Sequence, residues 1–258
     1  MKRLYGILVR LTILALLATP VFAAGDGSVI ASAVVVPAQV IHLGFLTSAI
    51  VKEVQVKEGD QVKEGQTLAV LNTPDLEYNL VAAQEAFRSA QANAEIQRYK
   101  RVRVIRQNGK KSWDVAPPEV RQQADAQAAS AQARLDVAQA ILAQSTLIAP
   151  KDATVASVDI LPGEYVNQNQ TVITLASLNT LQLETTDLSE RDITKIKIGA
   201  PVNISIEAWN DSFSGKVIGI SPIAGNVGGD VVFKVTIAFD EQPNGLLWGM
   251  TAEVTIEQ

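Results

Sequence analysis

The 258-residue sequence contains no cysteine and a single histidine, His42. Disulfides, thiolate nucleophiles, zinc-thiolate sites, lipid-modified cysteines and histidine-based metal clusters are thereby excluded. Basic residues are in the minority, 22 Lys plus Arg against 27 Asp plus Glu, so no global positive field recruits nucleic acid. After the first two dozen residues no run approaches the ~18 apolar residues a spanning helix needs. What is present is 47% hydrophobic and 19% charged, a balance that folds rather than staying disordered.

The amino terminus reads as an address. Lys2, Arg3 and Arg10 form a basic leader, Leu11 to Ala18 is apolar, and Pro20-Val21-Phe22-Ala23 places small residues at the positions of a cleavage site. Cleavage after Ala23 is expected, leaving 19 basic against 27 acidic residues, a mature charge of -8. The alternative is an uncleaved anchor over Ile7 to Ala24. On either reading the body lies outside the cytoplasm, in the periplasm or on the outer face of the cytoplasmic membrane.

An internal repeat follows. Ala49 to Leu71 aligns with Ala153 to Leu175 at an offset of 104, with eight identities in 23 positions, among them Val51/Val155, Gly59/Gly163, Val62/Val166 and Gln66/Gln170. In each copy Val or Ile alternates with polar residues, and Gly59-Asp60 and Gly163-Glu164 supply turn residues tolerant of positive φ. A unit this small cannot bury its own apolar face, so two copies are expected to pack as a sandwich.

Between the copies the period changes to that of a helix. Thr73-Pro74 forms a start signal, and Leu76, Leu80, Ala83, Phe87, Ala90 and Ala94 define a seam predicted to run in one helix to about Gln107, broken at Asn108-Gly109. After Pro117-Pro118 a second series, Val120, Ala124, Ala128, Ala131, Leu135, Ala138 and Leu142, returns antiparallel. Nine alanines between Glu119 and Thr146 permit close backbone approach. Strands are then expected at Leu181 to Thr186, Val202 to Ala208, Gly215 to Ser221, Val231 to Phe239 and Thr251 to Ile256; with Val29 to Val36 they make six, enough to close a barrel. The fold class is thus mostly β with an inserted antiparallel α-helical hairpin: a small sandwich plus a six-stranded β-barrel. The expected segments are a signal peptide (1–23), an N-terminal strand joining the barrel (24–43), the sandwich (44–72 and 147–177), the hairpin (73–146) and the barrel (178–258).

This order of motifs resembles the periplasmic adaptor, or membrane fusion, proteins of bacterial efflux pumps and type I exporters. The half-motifs Val54 to Leu68 and Ile148 to Gln170, with Gly215-Lys-Val-Ile-Gly-Ile-Ser-Pro222 and Leu247 to Ile256 in the barrel, carry the resemblance. It implies that the sandwich is a lipoyl-like barrel-sandwich hybrid and that the protein is a non-enzymatic adaptor that bridges an inner-membrane exporter to the exit path. Val231-Val-Phe-Lys-Val-Thr-Ile237 favours an ABC exporter over a proton-driven pump of the RND type. It also implies a homo-oligomer, a hexamer or trimer, with an outer-membrane channel as a further partner, no cofactor and no nucleic acid. Family members that dock such channels carry Arg, Leu and Ser at the hairpin end with a spacing that Arg101, Ile105 and Ser112 match, although Pro117-Pro118 keeps Ser112 from capping the second helix. Ala49 and Ala153 stand where the family's half-motifs usually carry Gly.

Rival readings are a lipoyl-like carrier and an exported β scaffold unconnected with transport. The carrier lacks its attachment Lys, because the junction of the halves is the hairpin. Glu184, Asp187, Glu190 and Asp192 cluster around a short helix whose cap and solubility already account for them, so no catalytic residue is assigned, and no metal or cofactor site either. The seven basic residues Arg98, Lys100, Arg101, Arg103, Arg106, Lys110 and Lys111 form a local patch at the hairpin tip. It reads either as a solvated helix end or as a docking surface for an acidic partner or lipid, with Arg101, Arg103, Ile105, Arg106 and Ser112 as the docking candidates.

Overall fold

The computed structural model describes residues 27–209 and 211–257. The leader and its cleavage site lie outside the described residues, and no helix among the described residues is long and apolar enough to cross a membrane. Two separate hydrophobic cores organise the β structure, one in a sandwich and one in a barrel.

The sandwich consists of two four-stranded sheets. One runs in the order Tyr165–Val166, Ala49–Val54, Thr67–Asn72, Thr146–Ile148; the other in the order Val40–Gly44, Thr171–Ala176, Ala153–Val158, Gln61–Val62. The repeats do not merely face each other, as the sequence suggests, but exchange short strands. Gln61–Val62 of the first copy pairs with Ala153–Thr154 of the second, and Tyr165–Val166 of the second pairs with Ala49–Ile50 of the first.

The interlock is two-fold in its hydrogen bonds. Gly59 N–H donates to the Val155 carbonyl and Gly163 N–H to the Val51 carbonyl, each at 2.8 Å. The Asp60 carboxylate accepts from Lys57 N–H at 2.8 Å, and the Glu164 carboxylate from Leu161 N–H at 3.0 Å. Gln66 and Gln170 accept from Lys63 and Asn167 N–H, both at 3.1 Å. These pairs are related by the same offset of 104 as the sequence repeat. Gly59 and Gly163 take φ of 89° and 91°, which a Cβ would strain. Phe45, Leu68, Leu71, Ile173 and Leu175 fill the space between the sheets.

The barrel closes in the order Val29–Pro37, Leu181–Thr185, Val235–Phe239, Ser212–Ile220, Pro201–Ile206, Thr251–Ile256. Alternation places Val35, Leu183, Ile204, Ile237, Val254 and Ile256 inside with no more than trace exposure. Two sequence expectations change here. The expected strand from Val231 to Phe239 breaks at Lys234: Asp230–Phe233 leaves the barrel to pair with Gly225–Val227 and Leu188–Ser189. The buried Thr185 hydroxyl bridges the break, donating to the Phe233 carbonyl at 3.3 Å and accepting from Val235 N–H at 2.9 Å. The strand expected over Val29 to Val36 forms, but the segment assigned with it to the barrel, up to residue 43, divides at Pro37. Val29–Pro37 enters the barrel, whereas Val40–Gly44 pairs with Thr171–Ala176 in the sandwich. Proline lacks an N–H, so the ladder ends where the chain changes domain. There the two connections run side by side, with Ala38 N–H on the Thr180 carbonyl at 2.9 Å and Ser177 N–H on the Gln39 carbonyl at 3.0 Å.

Because Gly59 and Gly163 hold equivalent turns, Gly59→Ala and Gly163→Ala should each lower stability by a similar ~1–3 kcal/mol. Urea unfolding followed by circular dichroism checks this; a negligible cost at either position would show that its turn is not under the same constraint.

Candidate functional site

The hairpin leaves the sandwich between neighbouring strands, since Thr67–Asn72 pairs with Thr146–Ile148 and Leu71 N–H donates to the Ser145 carbonyl at 2.8 Å. Helix α1 (Pro74–Tyr99) and helix α2 (Pro118–Ala143) each have 26 residues, so each rises about 39 Å. Both open with proline at the first helical turn, where its missing N–H costs nothing. The Thr73 side chain makes no capping hydrogen bond. The expected seam forms: Ala94, Ala124 and Leu135 are buried, and Leu76, Leu80, Ala83, Phe87, Ala90, Ala128, Ala131, Ala138 and Leu142 are half-buried, while Val120 stays exposed. With no third layer, two helices can shield only the line between them. Near the far end Arg98 and Asp125 tie the helices together at 3.0 Å.

Helix α1 does not reach Gln107. It ends at Tyr99, and Arg101–Ile105 pairs antiparallel with Lys111–Val115 as a two-stranded ribbon. Arg101-Val-Arg-Val-Ile105 alternates with period two, and β-branched residues at alternate sites favour extended backbone. Asn108-Gly109 then acts as a hairpin turn rather than a helix stop: Gly109 N–H donates to the Arg106 carbonyl at 2.8 Å, and Gly109 takes φ of 71°. The alternation and the Asn-Gly pair were visible signals that the helical reading passed over.

The candidate docking residues therefore stand on a ribbon, not on a helix end. Cross-strand partners place Arg101 with Val115, Arg103 with Trp113 and Ile105 with Lys111 on one face. Val104 and Ser112 share the other, where Arg106 Nε donates to the Ser112 hydroxyl at 3.1 Å. Arg101 and Ile105 thus share a face that excludes Ser112, so the helical spacing that suggested all three does not bring them together. Ile105, Trp113 and Val115 are 70%, 65% and 51% exposed. Of the seven basic residues, only Arg98 has an acidic partner among the described ion pairs.

The acidic cluster near the barrel is held by structural contacts. Asp187 accepts from Ser32 N–H at 2.8 Å, and Glu184 pairs with Lys234 at 2.9 Å. Asp192 accepts from the Ser189 hydroxyl at 2.7 Å, which, ahead of its contact with Lys195, holds its carboxyl below the ordinary value. The associated stability is present above pH 3.8 and is lost as pH falls through the lower native value. Trp209 packs edge-on against Phe213 at the barrel edge, with ring centroids 5.8 Å apart.

An interlocked sandwich, an inserted helical arm and a closed barrel define a class, the barrel-sandwich hybrid proteins. The chain belongs to the CzcB-like barrel-sandwich hybrid domain family, whose match covers residues 39–177. It is similar to an uncharacterised protein of Haemophilus influenzae, 28% identical over 223 residues, covering 85% of this chain and 55% of that one. It is also similar to the macrolide export protein MacA of Escherichia coli O157:H7, 28% identical over 247 residues, covering 84% of this chain and 64% of that one. The chain thus spans between half and two thirds of these relatives. Among solved structures, a MacA-MexA chimera carrying the Pseudomonas aeruginosa MexA α-hairpin domain superimposes with a TM-score of 0.77 at 26% identity, covering 90% of this chain and 82% of the chimera. The membrane fusion protein Spr0693 of Streptococcus pneumoniae R6 shares the fold, with a TM-score of 0.71 at 19% identity, covering 89% of this chain and 99% of that one.

Ala124→Leu should overpack the seam and lower the melting temperature of the helical signal, at a cost of ~1–3 kcal/mol. Arg101→Glu with Arg103→Glu and Arg106→Glu, all exposed, should leave helix content unchanged. Far-UV circular dichroism on heating distinguishes the two; a triple variant that melts the helices would show that the ribbon supports the arm.

Proposed function

We propose that the protein is the periplasmic adaptor of an efflux or export system, bridging a cytoplasmic-membrane exporter to the exit path. The observation that carries this reading is the arm itself: two 26-residue helices that bury only their mutual seam and end in an exposed ribbon. Such an arm contributes nothing to the β cores at its base, and it has the length and free end that a bridge requires. The family match and the likeness to a macrolide export protein support the same reading. The work is mechanical and not enzymatic, and Glu184, Asp187 and Asp192 beside the barrel are engaged in hydrogen bonds and ion pairs.

In this proposal the leader directs export and is cleaved after Ala23 or retained as an anchor. The barrel side meets the transporter, an ABC exporter in preference to a pump of the RND type. The sandwiches and barrels line up side by side in a ring of six, or in trimers, because only a closed ring turns an elongated arm into a conduit. The tip, with Arg101, Arg103, Ile105, Arg106 and Ser112, is the far contact.

Replacing residues 73–145 by a short turn tests the bridge. The flanking strands already pair, so both β units should stay folded and abundant while export of a macrolide panel is lost. Full export by the shortened protein would refute the bridging role. Native mass measurement after crosslinking with the transporter present should give a ring; a strict monomer there would sink the conduit.

A further inference from the structure

The ribbon's two faces carry different chemistry. One presents Arg101, Arg103, Ile105, Lys111, Trp113 and Val115 together, cation and apolar side chain directly opposite each other in every cross-strand pair. The segment from Arg98 to Lys111 holds seven basic residues and no acidic one, leaving 15 basic against 27 acidic residues in the rest of the sequence. The tip is therefore a positive end on a negative body, held about 39 Å from the sandwich by the helices.

We propose that this ribbon face lies on an anionic lipid surface, with Trp113, Ile105 and Val115 entering the headgroup region and the surrounding cations meeting lipid phosphates. Charge complementarity selects an anionic occupant, and the distribution of charge selects lipid over a folded acidic groove. Cations reach both faces of the ribbon: Arg101, Arg103 and Lys111 are on the apolar face, Arg106 is on the other together with the ribbon's one acid, Asp114, and Lys110 is at the turn. A protein groove takes cations arranged on one side, whereas a fluid interface accommodates a collar of them. Tryptophan beside lysine and arginine is the composition that settles at a membrane interface, because an amphipathic ring has its apolar body in the acyl boundary and its N–H in water. The acidic body is repelled by the same surface, which leaves the tip as the end that approaches. The inference rests on the adaptor reading only for the direction in which the arm points.

Vesicle co-sedimentation of the chain from Ala24 onward, without the leader, tests it, with vesicles of phosphatidylcholine alone or with about a third phosphatidylglycerol. Binding is expected to the anionic vesicles only, lost at roughly 0.5 M salt. Each basic residue near the surface contributes roughly fivefold, so Arg101→Glu with Arg103→Glu and Lys111→Glu should weaken binding at least about a hundredfold. Lys52→Glu with Lys57→Glu, on the sandwich, should leave it intact. Trp113→Ala should weaken binding, and a blue shift of tryptophan emission on binding should disappear in Trp113→Phe. Circular dichroism of each variant must match the parent. Absence of binding at low salt, binding that survives the tip reversal, or equal binding to neutral vesicles overturns the proposal. Capture of soluble polyglutamate without vesicle binding overturns it in favour of an acidic protein partner. Failure on vesicles while export still requires the hairpin leaves the adaptor reading standing.

Discussion

Neither half of the sandwich can complete a sheet from its own residues, and this reciprocal dependence governs the rest of the chain. The strand at Gln61–Val62 has its ladder partner in the second copy, and the strand at Tyr165–Val166 has its partner in the first. Each exchange is held by glycine and carboxylate turns that repeat with the two-fold, so the halves must meet with one register. Loop-closure entropy grows only slowly with the length between them, so a long insertion is tolerated provided its ends return to the same place. Thr67–Asn72 and Thr146–Ile148 bring those ends together as paired strands, and the insertion is free to be as long as its own cohesion allows.

That cohesion is modest and linear. Alanines at buried seam positions let the helices approach, Leu135 and the half-buried Phe87 supply what bulk there is, and Arg98 with Asp125 closes the far end. An arm of this kind is stiff along its axis, since each helix satisfies its own backbone, yet it is weakly held across it. Its end is consequently a place where a pair of short strands can exist without a core: the helices supply the closure, and the ribbon needs only its ladder and its turn.

The barrel solves a different problem. Six strands joined into a ring leave no edge, which protects a β domain rich in valine and isoleucine from pairing with other chains. Its first strand arrives before the sandwich and its others after it, so barrel and sandwich are linked by two adjacent connections at Ala38 and Ser177 rather than by one flexible linker. Two connections bonded to neighbouring backbone restrict relative rotation more than one would.

Patterning determined much of this architecture directly. A period of two marked the sandwich and barrel strands, a period near 3.6 marked both helical seams, and the offset of 104 announced two equivalent halves. Those features are legible because each rests on side chains close in sequence. The exchange of short strands was not legible, because two-residue strands such as Gln61–Val62 carry no period, and their partners are chosen by how the halves dock. The break at Lys234 depends on the Thr185 hydroxyl reaching across from another strand, a contact between residues 50 apart. At the tip, Arg101 to Ile105 suits either a helix continuation or a strand; only the pairing with Lys111–Val115 across the Asn108-Gly109 turn decides for the strand. Local sequence determined which segments would be strand or helix where one periodicity was unambiguous. Tertiary structure decided which strands pair and which face of the tip is cationic and apolar, because both depend on partners that no local pattern names.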